Sequence, residues 1–315
     1  MLSYRRRRDL MLKNHSTLTI FKCLCEVIYR NQIIVPAKLG RPCDIPKHKL
    51  IAFLLLWKMY GEVLEKMELD SELFLGKHYD HSSFAYHYKR LPPNAIELIT
   101  WHYERLIIKM LEQEIVFHIY DSTAISTSVR EERIRQGTRN KEKLTQKLHT
   151  TLGYDPPSRL VVVEAMLATD HHTSDAQGAL MMQADKDWKG YDFGDKAYWT
   201  YDLTDATIDQ GRVPIFKVKK TNVAKKTSNK GKIKNIWNGS NLERLYKEIR
   251  GLGEVLYGAA TRAGLLISNC RLQSNQHKDA LVIGLRQNVL TYLRLKALVY
   301  IIRKTQMKQK AYKIS

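Results

Sequence analysis

The chain reads as an α/β protein with an all-helical N-terminal third, and three observations predict it. Apolar residues recur at helical spacing up to about residue 112, short turn-bounded β-branched and aliphatic runs begin after Glu114, and strands and helices alternate from there on. Of the 315 residues, 44% are hydrophobic, enough for a core and too many for a disordered chain. The longest uncharged apolar run, Leu50 to Trp57, is eight residues. A bilayer span needs about 20, so no transmembrane helix is expected. The start, MLSYRRRRDL, lacks the apolar region of a secretory signal, which predicts a cytoplasmic location. The four cysteines show no paired spacing and are expected to be reduced thiols.

The elements follow in order. Thr17 to Tyr29 and Lys49 to Trp57 are helices, separated by the breaker GRPCDIP. Two short segments come next, Glu62 to Leu69 and Ser71 to Leu75, then a turn and the aromatic, basic segment Ser82 to Leu91. That succession fits a helix-turn-helix, whose second helix offers side chains such as Lys89 and Arg90 to DNA; a plain helical bundle with a basic surface helix fits it too. Pro92-Pro93 closes the unit and Ala95 to Leu111 is an amphipathic helix. Strands are expected at Ile115 to Tyr120, Lys147 to Leu152 and Leu160 to Leu167, then a helix at Ser174 to Lys186. A fourth strand at Gly190 to Gly194, a helix at Tyr201 to Gln210 and a fifth strand at Arg212 to Val218 follow. One long helix, Asn241 to Ala263, and a last helical region, Lys278 to Arg303, complete the order. The expected division is 1–112, helical and helix-turn-helix-like, 113–305, an α/β part, and 306–315, a basic tail.

Charge points to a polyanion. Lysine and arginine number 52 against 32 acids, a net charge of +20. The surplus is clustered at Arg5 to Arg8, Arg130 to Lys147, Lys217 to Lys234 and the C-terminus. The third stretch has eight lysines and no acid, among them Lys217, Lys219, Lys220, Lys225 and Lys226. It suits a loop laid along phosphates.

Three acids stand out by position. Asp121 ends the first expected strand, Asp195 follows the fourth, and Glu254 lies in the helix after the fifth. In a mixed sheet with the first and fourth strands adjacent, the aspartates lie side by side and the helix adds a carboxylate from one face. Converging carboxylates repel one another without a cation, and hard divalent ions favour such oxygen ligands. Asp170, Asp175, Asp185 and Asp192 are rivals for the second position. ATDHHTSD reads as a polar loop whose Ser174 or Asp175 caps the next helix.

The residues IYDSTAI around Asp121, QKLHTTLGYD at 146–155, GDKAYWT around Asp195, RVPIFKVKKTN at 212–222 and RGLGEVLYG at 250–258 resemble the DDE transposases of insertion sequences. GRPCDIPKHKLIAFLLL and SSFAYHYKRL resemble that family's DNA-binding region, so the likeness spans roughly residues 40–290. It implies an RNase H-like catalytic domain, a mixed five-stranded sheet flanked by helices, and two Mg²⁺ or Mn²⁺ ions held by Asp121, Asp195 and Glu254. It also implies cleavage at the ends of an element and attack of the freed 3′-hydroxyl on target DNA, without a covalent enzyme intermediate. The partners implied are terminal repeats and target DNA, with a homodimer on paired ends in a prokaryotic nucleoid. The family's signature puts Tyr three places before the Arg and Lys seven after the Glu. Here those places hold Lys247 and Thr261, with Tyr246 and Arg262 one residue away, and Glu248 is the fallback acid. Arg250, one turn before Glu254, suits a phosphate beside the metals or an ordinary i,i+4 salt bridge. Tyr198 and Trp199 suit base stacking or core packing equally. A nuclease that cuts without joining, and a catalytically silent DNA-binding descendant, are the rival readings.

Overall fold

The computed structural model describes residues 17–33, 44–62, 64–127, 144–218, 227–238, 242–268, 270 and 272–312. Five helices come first: α1 (Thr17–Arg30), α2 (Lys47–Met59), α3 (Leu64–Leu75), α4 (His81–Arg90) and α5 (Pro93–Leu111). Helix α1 buries Ile20, Phe21, Leu24, Val27 and Ile28, a stripe at 3–4 residue spacing. Helix α2 is different, because every residue from Leu50 to Trp57 is buried. The longest apolar run is thus the central rod of a helical layer, and no described helix is long and apolar enough to cross a membrane. Helix α5 starts with Pro93, whose missing N–H costs nothing at that position, and ends where Glu112 turns left-handed at φ 57°.

The second part holds β1 (Phe117–Thr127), β2 (Leu144–Asp155), β3 (Leu160–Asp170), α6 (Asp175–Gln183), β4 (Tyr191–Gly194), α7 (Tyr201–Asp209) and β5 (Val213–Phe216). Then follow α8 (Asn229–Asn238), α9 (Leu242–Arg250), α10 (Gly253–Ala263), the two-residue β6 (Ile267–Ser268) and the long α11 (Gln273–Tyr312). The sheet is mixed, in the order β3-β2-β1-β4-β5. β2 runs antiparallel to β1 and β3, whereas β4 is parallel to β1 and β5, and β6 adds a short parallel pair at the end of β1. Alternation along β1 sorts the two faces. Ile119 and Ile125 join the larger core with Leu148, Phe193, Ile249 and Leu256, a cluster continuous with the N-terminal helices. Tyr120 faces the other way, into a smaller core with Ala179, Tyr198, Trp199, Leu203 and Phe216 under α6 and α7.

Several expectations are corrected. The strand carrying Asp121 does not end there: β1 runs on to Thr127 and pairs with β2 as far as Ser126. Its STAIST stretch is polar by composition, yet Ser and Thr tolerate extended backbone and Ile125 is fully buried. The expected helix 241–263 is two helices, broken at Gly251-Leu252. The lysine stretch is a loop only in part. Residues 219–226, and with them Lys219, Lys220, Lys225 and Lys226, lie outside the described residues, while 229–238 form α8. There Lys230 is buried, its Nζ 4.4 Å from the ring centres of both Trp199 and Tyr201. Lysine stems can cover apolar surface while the ammonium meets ring faces, so an acid-free basic run can still pack. Helix α11 also extends through residues 306–312 of the expected tail. The blocks Arg5 to Arg8 and 130–143 lie outside the described residues as well.

Candidate functional site

Asp121 sits on the middle strand of the sheet, opposite Thr150 of β2. Its neighbour β4 ends at Gly194, so Asp195 emerges at the strand's C-terminal end, where its carboxylate accepts the Ala197 N–H at 2.7 Å. Helix α10 packs against β1, and its first residue explains the break before it. A Cβ on Gly253 would lie 3.0 Å from Asp121 Oδ2 and 2.9 Å from Arg250 Nη1. A larger residue would press on both side chains, so glycine eases this close approach of backbone to carboxylate. Glu254 follows in the first turn of α10, where a carboxylate complements the helix dipole.

The break gives Arg250 a different task from an i,i+4 pairing with Glu254. As the last residue of α9 it reaches across to the sheet, and its Nη2 donates to Asp121 Oδ1 at 3.1 Å. Its Nε and Nη1 are buried and find no acceptor among the described residues. Arg250, Asp195 and Glu254 line one open groove of about 390 Å³, together with Lys196, Lys217, Tyr246 and Lys247. Four cationic side chains face two carboxylates there, so the groove is basic around an acidic centre. No family model matches this chain, and no curated protein does.

Electrostatics single out Asp121. Burial pushes its carboxyl up to about 6, aided by the carboxylates of Asp195 and Asp175 and opposed by Arg250 and the Ser122 N–H. Burial likewise lifts the Tyr246 phenol to about 12. Tyr257 pins α10 to the sheet, its hydroxyl 2.9 Å from Thr150 Oγ1 and 3.3 Å from the carbonyls of Asp121 and Leu148. On the opposite face Asp175, the first residue of α6 after the Ser174 cap, accepts from Ser122 Oγ at 2.5 Å and Lys147 Nζ at 2.6 Å.

The structure therefore brings Arg250, Asp195 and Glu254 to one groove, with Asp121 beside it on Arg250, without closing the three acids into a tight ligand set. Among the described residues, the one trio of such groups with ligand atoms within 4.8 Å is Glu68, Asp80 and His81. It joins a half-buried Glu68 of α3 to the exposed Asp80 and His81 at the start of α4, where Asp80 caps the helix through the Ser82 N–H. The rival acids separate clearly. Asp192 is fully buried against Arg212 at 2.7 Å, and Asp175 is tied to Lys147. Glu248 is exposed and pairs with Arg244. Tyr198 and Trp199 are each 1% exposed, so both are core residues and neither is free to stack on a base. A Cβ on Gly194 would lie 2.8 Å from the Tyr198 ring, which shows how closely the chain folds back after Asp195.

In the helical part, Phe84 and Tyr88 of α4 face the core, and Tyr88 donates to Asp279 of α11 at 2.6 Å. Tyr86, Lys89 and Arg90 form the outer face, with the Arg90 guanidinium 3.7 Å above the Tyr86 ring. Arg212, Lys147, Tyr257 and Gly253 were not singled out by sequence. Only the Gly-x-Gly before Glu254 carried a legible signal, as a break in a helical pattern.

Proposed function

We propose that the chain is a DDE transposase, which cleaves DNA at the ends of its element and joins the freed 3′-hydroxyl to target DNA. In this reading residues from β1 onward form an RNase H-like catalytic domain and the N-terminal helices a DNA-binding region. One observation carries it: Asp195 after β4, Glu254 opening α10, and Arg250 bound to Asp121 of the adjacent β1 converge on a single basic groove. The strand order β3-β2-β1-β4-β5 supports the same reading.

Asp121, Asp195 and Glu254 are the residues that would hold two Mg²⁺ or Mn²⁺ ions. The donor chemistry fits, because all three supply hard oxygen ligands and the raised pKa of Asp121 is a cost that a dication offsets. Ions bound there would supply Lewis-acid activation of a water or 3′-hydroxyl and charge stabilisation for the leaving oxygen of a phosphodiester. The chain's own cations bind and orient the DNA. Arg250 lines the groove and holds Asp121, and Lys196, Lys217 and Lys247 flank the groove for the phosphate backbone on either side. Tyr86, Lys89 and Arg90 present a second surface to duplex DNA, and two such chains would hold paired ends.

Incubation with labelled terminal repeats, Mg²⁺ and a target plasmid tests the reading. Joined products are expected; cut ends that are never joined would instead indicate a nuclease, and binding without cutting a silent descendant. The logarithm of the end-binding constant is also expected to fall linearly with the logarithm of salt concentration. Lys89→Ala with Arg90→Ala should reduce that slope by about two, roughly one per lost phosphate contact, in a fluorescence-anisotropy series. An unchanged slope would remove α4 from the interface.

A further inference from the structure

Between α5, the outer edge of β3 and the end of α6 lies a pocket of about 590 Å³ that phosphoryl transfer does not use. Its volume is in the range of small-molecule sites. Glu97, Trp101 and Glu104 enter it from one stripe of α5, and Glu164 enters from β3. Glu104 is 7% exposed, and its Oε2 has no hydrogen-bond partner among the described residues.

Glu164 is brought there by two devices. Ala165 pairs with Thr151 and Val163 with Leu152, which leaves Glu164 as the extra residue of a β-bulge. Bulges re-aim side chains at sheet edges. The redirected carboxyl then lies over Gly153, where a Cβ would come within 2.6 Å of Glu164 Cδ. One Glu164 oxygen meets His118 Nδ1 at 2.7 Å, and His118 Nε2 faces the Lys189 carbonyl at 2.9 Å. Burial disfavours the His118 imidazolium, but Glu164 outweighs it and the pKa lies above the ordinary value. Glu164 therefore has a partner, whereas Glu104 Oε2 has none among the described residues. Lys186 donates instead to the Glu164 main-chain carbonyl at 3.3 Å. Burial first, then Glu164, pushes the Glu104 carboxyl up to about 8. The rim is apolar and open, with Trp101 and Leu98 each 40% and Met181 55% exposed.

We propose that this pocket binds an aliphatic diamine or polyamine, one terminal ammonium seated between Glu104 and Glu164 and the methylene chain against Trp101, Leu98 and Met181. The chemistry favours an ammonium over a metal ion. Of the three carboxylates that line the pocket, Glu164 is already engaged by His118, and the set falls short of the six or more oxygens a hard dication takes. An ammonium needs only three acceptors, and a tryptophan face adds cation–π attraction. On a chain of net charge +20, uptake of a free cation requires such a local acidic recess.

Calorimetry on the full chain without DNA, with 1,5-diaminopentane and spermidine as probes, tests this. Saturable one-to-one binding is expected. Glu104→Gln should weaken it at least about tenfold, because the desolvated partner charge is lost. That variant keeps the side chain's shape and removes only a buried ionisable group, so it should fold. Trp101→Ala, at an exposed position, gives a second reading and should weaken binding several-fold. Glu68→Gln, in the acidic trio before α4, should leave it unchanged. Affinity should fall as pH drops below about 8, since the amine must displace the Glu104 proton. The groups facing that proton are Glu97 and Arg105 of α5, Glu164, His118 and Lys186. No saturable heat, or binding by Glu104→Gln as tight as by the parent chain, would overturn the proposal.

Discussion

Asp121→Asn and Asp195→Asn are each expected to abolish cleavage and strand transfer, by about 10³-fold or more, while end binding stays within a few-fold. Asparagine keeps the shape of aspartate and one carbonyl oxygen but loses the charge that holds a dication, and metal-assisted chemistry depends on that charge. The stability readout makes the Asp121 test specific. The folded state raises the Asp121 pKa from the ordinary 3.8 to about 6. A carboxyl raised in this way gives full stability below about pH 3.8 and loses it as pH climbs through about 6. At neutral pH the ionised Asp121 therefore weakens the fold, by up to about 3 kcal/mol at about 1.4 kcal/mol per unit. Asp121→Asn escapes that cost and should unfold at the same or a higher urea concentration. Loss of activity with stability kept is the mark of a residue retained for chemistry. Activity and stability lost together would instead make Asp121 a structural anchor for Arg250. Glu254→Gln should behave like the aspartate variants and Glu248→Gln like the parent, since Glu248 points to Arg244 on an exposed face.

How much of this centre was legible follows from which links are local. Asp195 could be placed from sequence because YDFG is a short strand with an immediate stop, and the structure ends β4 at Gly194. Asp121 could be found, but its strand could not be measured, because hydrophobic patterning does not register Ser and Thr in extended backbone. Glu254 was placed on a helix correctly, yet the helix was drawn through Gly251 and Gly253 as if they were ordinary interior residues. The structure shows Gly253 as a point of close approach, and that depends on Asp121, 132 positions earlier in the chain. For the same reason spacing offers Arg250 a phosphate or an i,i+4 partner in Glu254, whereas its contact with Asp121 is tertiary.

The fold shows the same division. The order of strands and helices was readable, since apolar runs and turn residues act within a few positions. Sheet order, the bulge at Glu164 and the packing of Lys230 between Trp199 and Tyr201 were not, because each joins residues tens of positions apart. A lysine-rich stretch and a solvated loop have the same composition; only the aromatic rings waiting on α7 and just before it distinguish α8 from the loop. The aromatics after Asp195 went the same way, into the core under α6 and α7.

Arg212→Met is expected to cost about 3–5 kcal/mol in urea unfolding, as breaking a buried ion pair does. Arg212 and Asp192 are 2% and 0% exposed, and Nη1 meets both Asp192 oxygens, at 2.9 and 2.7 Å. The same Nη1 donates to Tyr120 Oη at 3.0 Å, and Tyr120 in turn donates to Asp192 at 2.9 Å. Methionine fills much of the volume but leaves the carboxylate with hydroxyl donors and no cation, and an uncompensated buried charge is the costly outcome. Adding Asp192→Asn to Arg212→Met should recover much of the loss, because no charge then remains buried. Acid should narrow the single variant's deficit for the same reason: a desolvated carboxyl has a raised pKa, and lowering pH neutralises it. Function follows from the same pair. Asp192 lies three residues before Asp195 and was a rival for its role, but a carboxylate saturated by Arg212, Tyr120 and Thr207 has no oxygen to give a metal. Strand transfer by Asp192→Asn, corrected for the folded fraction, should therefore match the parent chain. Complete loss in fully folded protein would move the metal site to the other face of β4 and reverse the assignment of Asp195.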